Sequence, residues 1–172
     1  MEAFSCDILP CSGGHPEWHL QQDVIPLLKE PWDLVIAFPP CTHLAISGAR
    51  WFKSKSVEEQ DEAIRFFLSF INLNCPYAIE NSLGIMSTRY EKPTQIVHPW
   101  WFGHDEKKAT CLWLKGLPRL KPTKIVFPTQ ATCHETGPSK ERSKKRSKTF
   151  EGLANAMAQQ WGLILKEKLC EH

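Results

Sequence analysis

The residues best placed to do chemistry are Cys41 and Glu80. Cys41 follows Phe38-Pro39-Pro40, and prolines fix the backbone, which holds the next side chain in one place. A cysteine presented this way is a candidate nucleophile where its thiolate is favoured. The competing reading is a small buried hydrophobe, the usual role of a free cysteine. Glu80 closes the apolar run Tyr-Ala-Ile at 77 to 79, where an unpaired carboxylate would be costly. Burial there would raise its pKa and let it donate a proton near neutrality. A salt bridge or a helix-capping role is the plainer alternative. A nucleophilic thiol and a proton-donating carboxyl on neighbouring strand ends suit attack on an electron-poor ring.

Both residues need strands to carry them. Residues 3 to 6 (AFSC) and 33 to 37 (DLVIA) read as strands that stop at turn residues. Near-continuous apolar runs of this kind predict strands buried on both faces. Residues 77 to 80 (YAIE) and 110 to 115 (TCLWLK) read as two more, the second stopped by Gly116 and Pro118. Ser56 and Glu59 form a capping box that opens a helix. Ile64, Phe67, Leu68 and Ile71 follow at the spacing of one buried stripe. Leu153, Ala156, Met157, Trp161 and Ile164 give a last helix its apolar face. Strands alternating with helices predict an α/β domain with a mainly parallel sheet, in which ligands gather at the carboxyl ends of strands. Cys41 and Glu80 occupy such ends.

Length and composition agree. The chain has 172 residues, 42% hydrophobic and 23% charged, which suits one soluble globular domain spanning residues 1–172. No apolar run approaches the roughly 20 residues of a membrane span. The absence of a basic-then-apolar leader predicts a cytoplasmic protein. Seven cysteines, an odd number, then predict reduced thiols rather than a disulfide framework. Cys6, Cys11, His15 and His19 could be read as a zinc tetrad, but all four lie within fourteen residues, without the loop that usually separates ligand pairs. Net charge is only +2, yet residues 140 to 148 (KERSKKRSK) hold six basic residues and one acid. A basic segment on a mildly acidic body suits a phosphate backbone. A solvated loop is the plainer reading.

The combination FPPCT at 38 to 42 and IEN at 79 to 81 resembles the cytosine-5 DNA methyltransferase family. Further similarities are Asp7 after the first strand, Asp23 in QQDVI, Phe102-Gly103 with Lys107 and Lys108, and FEGLANAM at 150 to 157. The chain is still more similar to short phage- and prophage-type members, through SGARWF at 47 to 52, KATCLWLKGLP at 108 to 118 and LANAMAQQW at 153 to 161. The resemblance implies a Rossmann-like S-adenosylmethionine-dependent methyltransferase fold. It makes Cys41 the nucleophile on cytosine carbon 6, Glu80 the proton donor at ring nitrogen 3, and Asn81 a wall of the base pocket. It assigns Asp7, Asp23, Pro39 and Asn155 to the cofactor. It assigns Lys108, with Lys144, Lys145 and Arg146 of the basic run, to DNA.

Three departures accompany the resemblance. The family opens with a strand and a glycine loop that hold the methionine part of the cofactor, whereas Gly13 and Gly14 follow Asp7. An N-terminally truncated fold is therefore expected, with a central strand missing beside the one carrying Cys41 and a second chain as one source of it. Ser82 stands where the family has proline or valine. Residues 119 to 148, rich in Lys, Pro and Ser, take the place of a long target-recognition region. A catalytically inactive methyltransferase remnant that binds nucleic acid is the alternative reading. Thymidylate synthase shares the Pro-Cys chemistry, but its phosphate and base motifs are not found here.

Overall fold

The computed structural model describes residues 2–46, 56–129 and 149–170. Its strands are β1 (Ser5–Asp7), β2 (His19–Gln21), β3 (Val35–Ala37), β4 (Tyr77–Ser82), β5 (Gln95–Val97) and β6 (Thr110–Lys115). Its α-helices are α1 (Val57–Leu68), α2 (Met86–Arg89) and α3 (Glu151–Cys170). The fold is α/β, as expected, but its sheets are mixed. β1 and β2 form a two-stranded parallel sheet. The larger sheet has the order β3-β4-β6-β5, with β3 parallel to β4 and β6 antiparallel to both β4 and β5. The expectation of a mainly parallel sheet is therefore corrected. Only β6 is reversed: the short turn at Pro99–Trp101 leads from β5 straight into it without a crossover, whereas β5, itself antiparallel to β6, runs in the same direction as β4.

Register explains which side chains meet. Along β4, Tyr77, Ile79 and Asn81 point to one face, and Ala78, Glu80 and Ser82 to the other. On the first face Phe67, Phe70 and Leu73, from α1 and the segment after it, pack with Tyr77, Ile79, Cys111 and Trp113. On the second, Leu153, Ala156, Met157 and Trp161 of α3 pack against Ala78, Val97 and Leu112. The sheet is thus sandwiched between α1 and α3. The helical stripes read from the sequence are the faces buried here. Ser56 caps α1, its Oγ accepting the Glu59 N–H at 3.1 Å. Two fully buried indoles are satisfied: Trp161 Nε1 donates to Pro118 O (3.0 Å) and Trp113 Nε1 to Glu91 O (2.9 Å).

The first strand departs from expectation. The apolar run at 3 to 6 predicts burial on both faces, but Ala3, Phe4 and Ser5 are exposed and Cys6 is half-buried. The cause is the small two-stranded sheet they join, which no helix covers among the described residues. Within that set, β1 pairs only with β2, and β3 pairs only with β4, so each leaves one edge without a strand. Also among the described residues, no helix is long and apolar enough to cross a membrane.

Candidate active site

Cys41 and Glu80 come together. A cavity of ≈ 90 Å³ is lined by Cys41, Glu80, Lys108, Ser82, Thr110 and Phe150, with Phe38, Pro39, Pro40, Thr149 and Leu153 completing its wall. It lies on the α3 face of the sheet, at the carboxyl ends of β3 and β4. At about 30 Å³ per molecule, a volume of that size would hold roughly three waters.

Three local contacts build the site. After β3 the chain turns at Cys41, whose carbonyl accepts the Leu44 and Ala45 amides (3.0 and 2.9 Å). This turn is stapled to the segment after β4: Ile85 N donates to Leu44 O, and Ile46 N to Leu83 O, both at 2.9 Å. Gly84 makes the staple possible, because a Cβ there would strike the Leu44 carbonyl. The third contact is Asn81. It is buried, and its Nδ2 donates to Pro39 O at 2.9 Å, so β4 holds the backbone two residues before the thiol. The Asn81→Ala variant should lose about 1–3 kcal/mol of unfolding free energy, since the Pro39 carbonyl would be buried without its donor. Urea unfolding measures this, and an unchanged midpoint would show that the bond does not hold the turn.

The electrostatics centre on Glu80. It lies deep, with part of its surface opening to the cavity. Burial pushes its carboxyl above the ordinary carboxylate range, and the Lys108 ammonium opposes that rise. Lys108 also sits 5.9 Å from the centre of the Phe150 ring, a cation–π distance. Across the sheet, burial and then the Glu80 charge push the Cys111 thiol up to about 11, so Cys111 stays a neutral core thiol. Ser82 and Thr110 are paired in register beside Glu80, and both hydroxyl-bearing residues line the cavity.

The other expected site residues divide. Pro39 lines the Cys41 cavity. Asp23 lines a second, open groove of ≈ 640 Å³ with Pro40, His43, Glu59, Glu62, Arg65 and Phe66. Pro40 belongs to both walls, so the two depressions are neighbours. Asp7 and Asn155 line neither. Asp7 is the exposed last residue of β1, its Oδ1 accepting the Leu9 N–H at 2.9 Å, and Asn155 is exposed on α3. Lys144, Lys145 and Arg146 lie outside the described residues, as does SGARWF at 47 to 52. The four residues read as a zinc tetrad have other contacts in part: His15 stacks on Trp18, and both ring nitrogens of His19 meet oxygens, of Ser5 and Leu9.

Sequence reasoning missed Gly84, Thr110 and the place of Phe150 in the cavity wall. A glycine two residues beyond a strand end was the available signal for the first. Thr110 becomes visible only through the antiparallel register with Ser82. No protein-family model matches the chain, and no curated protein matches it.

Proposed function

We propose that the chain is a DNA cytosine-5 methyltransferase domain of the Rossmann-like class, with Cys41 as nucleophile and Glu80 as proton donor. The observation that carries this reading is the single cavity wall shared by a thiol and a buried carboxyl whose pKa is raised. The Cys41 thiolate would add to carbon 6 while Glu80 gives its proton to ring nitrogen 3, which moves the electron pair to carbon 5. S-adenosylmethionine, when bound, would supply the methyl group that carbon 5 takes up, its sulfur keeping the electron pair of the broken bond and leaving as a neutral thioether. A base then removes the carbon-5 proton, the ring double bond re-forms, and the thiolate leaves as Glu80 recovers its proton. The target base must leave the helical stack to reach such a cavity. Lys108 would then face both the base and Glu80.

The groove beside Pro40 fits the methyl donor by charge. Asp23, Glu59 and Glu62 are carboxylates suited to a cationic sulfonium and an ammonium, Arg65 on the same wall suits the donor's carboxylate, and Phe66 offers an aromatic face. Gly13 and Gly14 contribute no cradle, since a Cβ at either would meet nothing within 4 Å. The reading is tested by incubating the chain with DNA and methyl-labelled S-adenosylmethionine. Label recovered as 5-methylcytosine supports it. Label recovered nowhere, with DNA still bound, would instead favour the remnant that only binds nucleic acid.

Among the described residues the edges of β1 and β3 carry no further strand, which favours a partner in the same reading. A parallel strand is ordinarily flanked and covered, and Phe4 and Phe38 beside these edges are each about half exposed. A second chain that supplies one more strand would close them. A monomer at working concentrations with full methyl transfer, seen by sedimentation, would contradict this.

A further inference from the structure

Helix α3 starts at the cavity wall, behind a residue that cannot cap it. The first N–H groups of any helix lack intrahelical partners. Phe150 accepts the Ala154 N–H at its carbonyl (3.0 Å), but its ring has no oxygen to offer the first turn. An imidazole from a distant part of the chain takes that place. Gly152 N donates to His104 Nε2 at 2.8 Å. Only glycine permits this approach, since a Cβ at position 152 would strike the Phe102 carbonyl and meet His104 Nε2 at 2.9 Å.

The bond stands directly behind the reacting groups. The His104 ring lies 5.2 Å from the Phe150 ring, and Phe150, Thr149 and Leu153 line the Cys41 cavity. Lys108, which opposes the rise in the Glu80 pKa, sits over the same Phe150 ring. An imidazole nitrogen accepts a hydrogen bond only while it carries no proton. Protonation would turn Nε2 into a donor that faces a donor. It would also set a positive charge at a helix N-terminus, where the macrodipole opposes it. Both effects have the same sign: the contact exists with the ring neutral and is lost as pH falls. Other charged groups lie on the segments that meet here. They are Asp105, Glu106, Lys107 and Lys108 on the ring's own segment, Glu151 on α3, Lys124 against Gly103, and His98 before Pro99, whose carbonyl accepts the His104 N–H. A variant that accepts but does not titrate isolates the ring from them.

We propose that His104 is a positioning residue, whose neutral ring holds the first turn of α3 and so keeps Phe150 and Leu153 against the Cys41 cavity, and whose protonation releases that wall. Its meaning for catalysis rests on the methyltransferase reading, so two of its three readouts need no activity. Nitrogen NMR of the full chain at about pH 8 should place the His104 proton on Nδ1 and leave Nε2 bare. Amide exchange, corrected for intrinsic rates, should show Gly152 about fivefold or more less protected at about pH 5 than at about pH 8. His104→Gln keeps an acceptor of similar reach, and its Gly152 protection should hold across that range. His104→Ala should lack the protection at both ends. In methyl transfer, kcat/KM of the parent should fall with acid more steeply than that of His104→Gln. A proton on Nε2 at the upper pH, Gly152 protection indifferent to pH, or an equal loss in His104→Gln would each overturn the hold. Equal acid slopes in an active parent and an active His104→Gln would overturn its link to the reaction. The predicted exchange pattern in a chain without methyl transfer would uphold the hold and remove the catalytic reading instead.

Discussion

The Cys41→Ser variant is expected to lose methyl transfer entirely while keeping its fold and its grip on DNA. A serine hydroxyl is not ionised near neutrality and is a far weaker nucleophile than a thiolate. Among enzymes that use a covalent nucleophile, its removal costs on the order of 10⁶ in kcat. The structural cost is small by contrast. It is the Cys41 carbonyl, not its thiol, that accepts the Leu44 and Ala45 amides, so the turn survives the exchange. Stability should stay within about 0.5 kcal/mol of the parent chain. A variant that transfers methyl groups at a measurable fraction of the parent rate would show that Cys41 is one more half-buried thiol.

Glu80→Gln carries the second large effect, and it has two readouts. An amide has the shape of the acid but no carboxyl proton, so methyl transfer should fall by about 10²–10⁴-fold. The second readout is stability against pH. Burial, opposed by Lys108, holds the folded carboxyl above its ordinary value, and an unfolded glutamate titrates near about 4.3. Below that value both states carry the proton, so the difference between parent and variant is constant. As pH rises, the unfolded chain releases its proton first, and the contribution of Glu80 to stability is lost until pH has passed the folded pKa. Glutamine does not titrate, so the variant should gain on the parent through that window. Melting temperatures of both proteins from about pH 4 to about pH 8 measure this. A difference that stays flat would contradict a buried, proton-holding Glu80, and an unchanged rate would contradict its role as donor.

The pair at the centre of this reading was legible because each member broke a local rule. Cys41 follows two prolines at the end of an apolar run, and Glu80 ends another such run with a charge. The helix faces were legible for the opposite reason: Phe67 on α1 and Leu153, Ala156, Met157 and Trp161 on α3 obey a simple period, and all are buried. Sheet direction was not legible. The same apolar run serves a parallel or an antiparallel strand, and the three-residue β5 that lets β6 return gives too short a pattern to read. Asp7 and Asp23 stand together at the carboxyl ends of the paired strands β1 and β2, where the Asp7 carbonyl accepts the Gln22 N–H at 3.1 Å, although only Asp23 lines the groove; the three-residue β2 gives too short a pattern to read. Asn81 shows a finer limit. The resemblance implies a role for it in the base pocket, and its Nδ2 reaches from β4 to the Pro39 carbonyl, a contact that no spacing reveals.

The proposed chemistry passes through one bond that can be trapped, between the Cys41 sulfur and carbon 6 of cytosine. Fluorine at carbon 5 blocks the release step, because no proton is there to remove. The most direct measurement is therefore the intact mass of the protein after incubation with S-adenosylmethionine and a single strand containing 5-fluorocytosine. The account predicts a species heavier by the oligonucleotide plus one methyl group, absent in Cys41→Ser. A protein of unchanged mass, or an adduct that forms equally well without Cys41, would contradict it.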